Sequence, residues 1–328
     1  MEIRKQRIGW IGPAFLILTV LSLPLFVKGY SIYIINLIGI YTLIGLGLNL
    51  LTGVCGQISI GHAAFFAIGA FSSAIFTVKF SIPFWFALPL AGITSSIIAL
   101  IVGIPVLRLK MIFLAIATIG LGVMTNNMLY NWTSVSGGAV GINVPKPSLG
   151  GFVFQSDERF FYIISITVLI LTLLYWHITR TRMGRAFLAI RESEIAASTM
   201  GIDVAKYKVI AFGLSAFYAG IAGSLVGHLA GYLSIETFEF FLSITFLAMV
   251  IIGGIASILG SFLGATFIVL LPEVLRDIPG AKDMQVLVYG LAMMIIMIYK
   301  PSGLANILLD IGGKIKAYVN PEKGPRRI

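Results

Sequence analysis

The chain alternates between long apolar stretches and short polar connections, and almost all of its charged residues fall in the connections. The apolar stretches do not alternate with period two, so they favour helices over barrel strands. A helix needs about 20 mostly apolar residues to cross a bilayer, and only helices and closed barrels satisfy their backbone in lipid. The pattern predicts an all-α integral membrane protein, a polytopic bundle of about ten transmembrane helices (8–10).

The predicted spans cover 9–27, 31–51, 62–78, 83–106, 111–130, 160–178, 209–230, 240–257, 259–272 and 285–299. The ninth is short and glycine-rich, and the eighth contains Gly253 and Gly254, so these two could equally form a re-entrant pair. The first follows a basic segment, but it is long and no small-x-small cleavage site follows it. We interpret it as a retained span rather than a secretory signal.

The basic residues predict an orientation for this bundle. With the N-terminus cytoplasmic, 17 of the 23 Lys and Arg fall on the cytoplasmic side, which the positive-inside rule favours. The six on the other side are Lys28, Lys79, Lys146, Arg159, Arg276 and Lys282. Both termini are then cytoplasmic, and the basic tail, 301–328, is expected to contact anionic membrane lipid. Because the basic residues are scattered over separate loops, the net charge of +10 indicates no nucleic-acid partner.

The chain has no motif typical of an enzyme. Its three histidines, His62, His177 and His228, lie far apart, and no phosphate-binding loop of the form GxxxxGK[ST] is present. We therefore expect no catalytic residue, no metal and no cofactor in this chain. The predicted spans also lack the buried carboxylates on which ion-coupled transporters rely, so a transport role needs an energy source on another subunit.

Two segments interrupt the simple pattern of spans. Between the second and third spans, the sequence GLNLLTGVCGQISIGHAAFF at 47–66 is rich in glycine and small polar residues. Transporters use interrupted helices of this kind along the substrate path, whereas the simpler interpretation is a tight turn with small-residue packing. The residues proposed for a path are Asn49, Gly53, Gly56, Gln57, Ser59, Gly61 and His62. A weak echo at 253–264 hints at an internal duplication.

The second segment is the long cytoplasmic connection at 179–208. We predict one helix over Ala186–Met200, ended by Gly201, and a second short helix starting near Asp203. An alanine-rich helix suits close approach by a partner protein, while an amphipathic helix lying on the membrane is the alternative.

The same two segments carry a family resemblance. Residues 194–201, EIAASTMG, are similar to the EAA loop of ABC importer permeases, which docks on the ATPase subunit. Ile195, between Glu and Ala, departs from that consensus, and the later Ile-x-Leu-Pro is absent, which points to the branch that handles sugars and branched-chain amino acids. Residues 47–66 resemble the signature of the branched-chain amino acid permeases, M-type subunit. Further matches are PVLRLK at 105–110, FLAIAT at 113–118, SGGAVGI at 136–142 and KPSGL at 300–304.

The resemblance implies a single permease domain over 1–328 of an ATP-driven importer for leucine, isoleucine and valine, in a bacterial inner membrane. The implied partners are an H-type permease subunit, two ATP-binding subunits that hold the ATP, and an external solute-binding protein. The implied coupling residues are Arg185, Arg191, Glu192, Glu194, Ala196, Ala197 and Gly201. A permease for urea or short amides and a stand-alone channel for small neutral solutes remain alternatives. A membrane-embedded enzyme is disfavoured by the missing acid–base groups.

The main external loop, at 131–158, is rich in glycine and proline and predicts ordered turns. In an importer this surface would receive the solute-binding protein. The alternative is a lid that packs only on the helices of its own chain.

Overall fold

The computed structural model describes residues 29–106, 111–149, 152–276, 284–299 and 303–306, together with Pro24 and Val27. The predicted first span, 9–27, and the basic tail therefore lie almost wholly outside the described residues. Each of the other nine predicted spans coincides with a helix.

The helices are α1 (Tyr30–Leu48), α2 (His62–Val78), α3 (Phe84–Val106), α4 (Met111–Asn131), α5 (Thr133–Ser136), α6 (Asp157–Arg180), α7 (Arg182–Glu192), α8 (Glu194–Thr199), α9 (Val204–Ala230), α10 (Phe240–Gly253), α11 (Ile258–Arg276) and α12 (Gln285–Tyr299). The described part of the chain also holds four two-residue strands: β1 (Ile142–Asn143), β2 (Ser148–Leu149), β3 (Phe152–Val153) and β4 (Tyr232–Leu233). They pair antiparallel as β1 with β4 and β2 with β3. The all-α prediction is confirmed.

Five helical stretches among the described residues are long and apolar enough to cross a membrane. They are Tyr30–Val54, Phe84–Val106, Asp157–Arg180, Val204–Ala230 and Ile258–Arg276. Three further apolar helices are shorter: His62–Val78, Phe240–Gly253 and Leu287–Ile296. The ninth predicted span is one continuous 19-residue helix, α11, and not a broken one.

The core of the bundle lies where α2, α3 and α9 cross. Glycines allow the close approach, because a Cβ on Gly69 of α2 would overlap the backbone of Gly220 in α9. At the same crossing, Ser95 of α3 donates a hydrogen bond to the Phe65 carbonyl of α2 at 3.1 Å. Helix α9 is thus buried along most of its length, whereas large apolar side chains such as Met124 of α4 and Ile101 of α3 are exposed, 67% and 64%. Exposed apolar side chains of this kind suit a lipid-facing surface.

The connections sort into the two groups that the charge pattern predicts. The segment after α1, the α6–α9 connection and the α10–α11 turn contact one another at one end, through Arg191 to Gly53 and Asn49 to Ser257. At the other end, Val144 of the 131–158 loop pairs with Gly231 after α9. We refer to these as the loop end and the strand end of the bundle.

The single helix predicted over Ala186–Met200 is wrong. The chain forms two helices, α7 and α8, because Ser193 adopts an extended conformation (φ −164°, ψ 116°) and its hydroxyl accepts from the Ala196 N–H at 3.3 Å. The second short helix is also wrong in length. Asp203 does cap a helix, accepting from the Lys206 N–H at 3.0 Å, but that helix is the 27-residue α9.

Candidate functional site

Helix α1 does not end as a regular α-helix. It continues directly into a π-helix over Asn49–Val54, and the chain then turns through Gly56 with φ +74°. The Cys55 N–H donates to the Leu50 carbonyl at 3.1 Å, which closes one of the wide turns. A π-helical turn inside a helix often marks a functional position. The prediction that glycines interrupt a regular helix here is confirmed.

Asn49 fastens this segment to the second glycine-rich segment. Its amide Nδ2 lies 3.1 Å from both the Ser257 carbonyl and the Ser261 hydroxyl, and 3.3 Å from the Gly254 carbonyl. Its Oδ1 accepts from the Ala256 N–H at 2.5 Å. The segments that looked alike in sequence are therefore in direct contact. Their descent from one duplicated unit stays a prediction.

Buried side chains from other helices hold the start of α2. The Ile60 N–H donates to the Thr118 hydroxyl of α4 and the Ala63 N–H to the Ser243 hydroxyl of α10, each at 3.0 Å. Gly61 is required next to them, because a Cβ there would overlap the Thr118 carbonyl. Three helices, α2, α4 and α10, thus meet around 60–63, so a displacement of one of them would affect the other two.

His62 makes its contact through Nε2, which lies 2.9 Å from the Ser215 hydroxyl of α9. That hydroxyl donates its single hydrogen to the Gly47 carbonyl at 2.6 Å, so it accepts from His62 and places the imidazole hydrogen on Nε2. His62 Nδ1 and the Ser59 hydroxyl are buried without a hydrogen-bond partner in the described structure. Buried polar atoms without a partner are uncommon, and a hydrogen bond from water or a polar solute is most favourable at such atoms.

The segment at 49–62 also contacts the connection between α6 and α9. Arg191 at the end of α7 donates to the Gly53 carbonyl at 2.6 Å, and its Cα, Cβ and Cγ lie 3.0–3.2 Å from where a Cβ on Gly56 would sit. Gln57 donates to Glu194 Oε1 at 3.4 Å. Two sets of residues predicted separately, for a substrate path and for a coupling loop, therefore form one structure, which we call the junction.

Lys208 completes the junction, and the sequence analysis did not assign it there. Its ammonium group lies 2.5 Å from Glu194 Oε1, and its side chain is 6% exposed against 46% for Glu194. The only signal for it in the sequence is a lysine followed at once by the apolar run of α9. A buried ammonium needs a paired carboxylate.

The outward face of α8 differs from the predicted alanine face. Ala197 is 3% exposed and packs inward, whereas Ala196 is exposed. The side chains that protrude are Ile195 and Met200, 81% and 82% exposed. Gly201 has φ +82°, so its predicted role in ending the helix is confirmed.

The remaining predicted coupling residues, Arg185 and Glu192, are exposed on α7.

Burial raises the pKa of the Cys55 thiol, which lies within the junction, to about 12. Within the described residues, no group of three or more His, Cys, Asp or Glu side chains could hold a metal ion.

Comparison with known proteins identifies the family. Residues 30–297 match a family described as the permease component of a branched-chain amino acid transport system. The chain belongs to this family of branched-chain amino acid transport permeases. It is a multi-pass membrane protein, and both segments of the junction fall inside the matched residues.

Individual relatives of this permease come from both permease types of one transport system. The permease protein LivM of Escherichia coli is 34% identical over 92% of this chain and 75% of its own length. LivM of Salmonella typhimurium is 34% identical over 88% of this chain and 73% of its own length. LivH of the same organism is 25% identical over 80% of this chain and 90% of its own length. No solved structure matches the chain significantly.

Proposed function

We propose that this permease carries leucine, isoleucine and valine across a bacterial inner membrane as one subunit of an ATP-driven importer. The observation that carries the proposal is the 34% identity to LivM, which extends over both sides of the junction. The proposed assembly adds an H-type permease, two ATP-binding subunits and an external solute-binding protein. ATP hydrolysis belongs to the ATP-binding subunits, and this chain itself binds no cofactor.

The junction gives this proposal a mechanism. Ile195 of α8 and Met200 directly after it protrude and form the contact with the ATP-binding subunit, while Arg191 and Glu194 hold the same connection to 49–62. A displacement of α8 is then passed to the Asn49 contacts, and so to the turn between α10 and α11. The polar groups of 49–62, including Ser59 and His62, line the path that opens. Contacts with the cargo are weak there, because a tight site would slow release.

The loop end faces the cytoplasm in this proposal, and the bundle crosses the membrane ten times, with both termini inside. The strand end faces outward and receives the solute-binding protein. Exposed side chains there, Val140 and Trp132 (79% and 48%), supply an apolar docking surface.

Uptake of labelled leucine tests the proposed cargo. Deleting the gene should abolish high-affinity uptake, and isoleucine and valine should compete with leucine in the wild type. Competition by urea, together with unchanged leucine uptake in the deletion strain, would favour the urea or amide permease instead.

Labelling of introduced cysteines tests the orientation. Val140→Cys and Ser198→Cys place a thiol at an exposed position at either end of the bundle, whereas Val144 is 5% exposed and unsuitable. In a Cys55→Ala background, a membrane-impermeant maleimide should label Val140→Cys in spheroplasts and spare Ser198→Cys. The reverse labelling overturns the orientation.

A further inference from the structure

Two pairs of a histidine and a serine join α2 to α9, one near each end of their contact. At the start of α2, His62 Nε2 lies 2.9 Å from the Ser215 hydroxyl of α9. Further along α2, the Ser73 hydroxyl lies 3.1 Å from Nε2 of His228 in α9. The histidine belongs to α2 in the first pair and to α9 in the second. At 1.5 Å of rise per residue, the two pairs are separated by roughly 16–20 Å along the helices.

Backbone contacts fill the space between the two pairs. A Cβ on Gly69 of α2 would overlap the backbone of Gly220 in α9, and a Cβ on Gly223 of α9 would overlap the Phe66 carbonyl of α2. Small residues allow helices in a membrane to approach this closely. Sliding of one helix past the other would bring these atoms into collision, because close-packed interiors do not deform continuously.

The second pair is complete in its hydrogen bonds. His228 Nδ1 lies 2.8 Å from the Pro145 carbonyl, which can only accept, so Nδ1 carries the ring hydrogen. Nε2 therefore accepts from the Ser73 hydroxyl, and the Ser224 hydroxyl donates to Ser73 at 2.7 Å. Both nitrogens of His228 are used, whereas Nδ1 of His62 has no partner in the described structure. The second pair is thus a fixed contact, which also holds the loop of Pro145.

Helix α9 begins at the connection that contains α7 and α8. Lys208 pairs with Glu194 of α8, with 2.5 Å between the ammonium and Oε1. The Tyr207 ring packs edge-on against Phe187 of α7. A displacement of α7 and α8 is therefore passed directly to the first turns of α9.

Helix α1 is joined to α9 in a different way. Among the described residues, one hydrogen bond links them, from the Ser215 hydroxyl to the Gly47 carbonyl at 2.6 Å. Two separated contacts fix the direction of one helix relative to another, as they do for α2 and α9, whereas a single contact leaves a pivot. Helix α1 therefore stays outside the pair.

We propose that α2 and α9 move as one rigid unit during transport. Helix α9 then carries a displacement of α7 and α8 to the start of α2, where the proposed path lies. This route is separate from the contact of Arg191 with Gly53, which acts on the π-helical end of α1. The proposal rests on the proposed function, because the motion that it describes belongs to the transport cycle.

A disulfide between the two helices tests the rigid unit. In a Cys55→Ala background, Ser73→Cys with Ser224→Cys places two thiols where hydroxyls now lie 2.7 Å apart, which suits a disulfide. After oxidation with copper phenanthroline, the assembled transporter in liposomes should take up leucine as fast as its own reduced form. Uptake that is lost on oxidation and restored by dithiothreitol would overturn the unit. The proposed function would then still stand, because the reduced protein transports leucine.

Two serine variants keep the proposal testable if the disulfide does not form. Ser215→Ala removes the first histidine–serine pair, so leucine transported per ATP hydrolysed should fall about tenfold or more. Ser224→Ala is the matched control, since it removes one buried hydroxyl from the same helix and leaves both pairs in place. It should keep the wild-type ratio. An unchanged ratio in Ser215→Ala, or an equal fall in both variants, would overturn the proposal.

Discussion

The two ends of helix α9 are fastened in different ways. At the strand end, β1 pairs with β4, and the Val144 N–H donates to the Gly231 carbonyl at 2.9 Å. Lys146 adds a hydrogen bond of 2.7 Å to the Leu229 carbonyl. At the loop end, side chains hold the first turns of α9: Lys208 pairs with the half-exposed Glu194, and the Tyr207 ring packs edge-on against Phe187 of α7.

In the proposed importer, this difference suits the loop end to the transmission of motion. Backbone pairing fixes the strand end in one register, so a partner protein that binds there meets a rigid surface. Long side chains hold the loop end, and they join a connection with two protruding apolar residues to the π-helical end of α1.

Replacing Asn49 by alanine should give the largest loss of stability, because four contacts to the 254–261 segment disappear at once. We expect the free energy of unfolding to fall by about 3 kcal/mol or more. Thermal unfolding in detergent measures it. Asn126→Ala, which removes one hydrogen bond to the Phe238 carbonyl, is the control and should cost about 1 kcal/mol. Equal losses of stability in the two variants would contradict the claim that the Asn49 contacts are the main link to the 254–261 segment.

Alanine substitutions at two glycines with positive φ, one at each end of the bundle, test the difference between the two ends directly. Gly141→Ala at the strand end, with φ +74°, would force a Cβ into the Leu233 carbonyl, so it should cost about 2–4 kcal/mol. Gly201→Ala at the loop end, with φ +82° and open space around it, should cost only about 1 kcal/mol. Chemical denaturation of both variants gives the ratio, and a larger loss at Gly201 would reverse the comparison.

Removing either partner of the Lys208–Glu194 ion pair should reduce stability by unequal amounts. Glu194→Gln leaves the buried Lys208 ammonium without its carboxylate, and we expect a loss of about 1–3 kcal/mol. Lys208→Met leaves a half-exposed carboxylate that water can solvate, so the loss should stay below about 1 kcal/mol. Equal losses of stability in the two variants, measured by thermal unfolding at one pH, would show that the burial of Lys208 does not determine how much the ion pair stabilises the protein.

Chemical labelling of Cys55 probes the junction without any substitution. Because burial raises its pKa to about 12, very little of the thiol is ionised at pH 8, and the thiolate is the reactive form. Maleimide labelling of the folded protein should therefore be slow at pH 8 and rise about tenfold for each pH unit up to the pKa. The folded state holds this proton more tightly than the unfolded state, so stability falls as pH rises from about 8.5 towards 12. Fast labelling with a midpoint near pH 8.5 would contradict a buried thiol.

The sequence predicted the helices well and their contacts less well. Apolar length located nine helices, because burial in lipid demands it, and glycine density located the break after Leu48. The break at Ser193 was missed because a local hydrogen bond to the backbone competes with helix propensity there. The pairing of Lys208 with Glu194, more than ten residues away in the chain, is a tertiary contact that no local pattern shows.

Coupling between the exposed connection and the end of α1 is the central claim, and one measurement tests it most directly. In the assembled transporter in liposomes, leucine transported per ATP hydrolysed should fall about tenfold or more in Arg191→Ala, which loses the hydrogen bond to the Gly53 carbonyl. Arg182→Ala, exposed on the same helix and not among the predicted coupling residues, should keep the wild-type ratio, and both variants should retain the ATP-binding subunits. An unchanged ratio in Arg191→Ala, or an equal fall in both variants, would contradict the account.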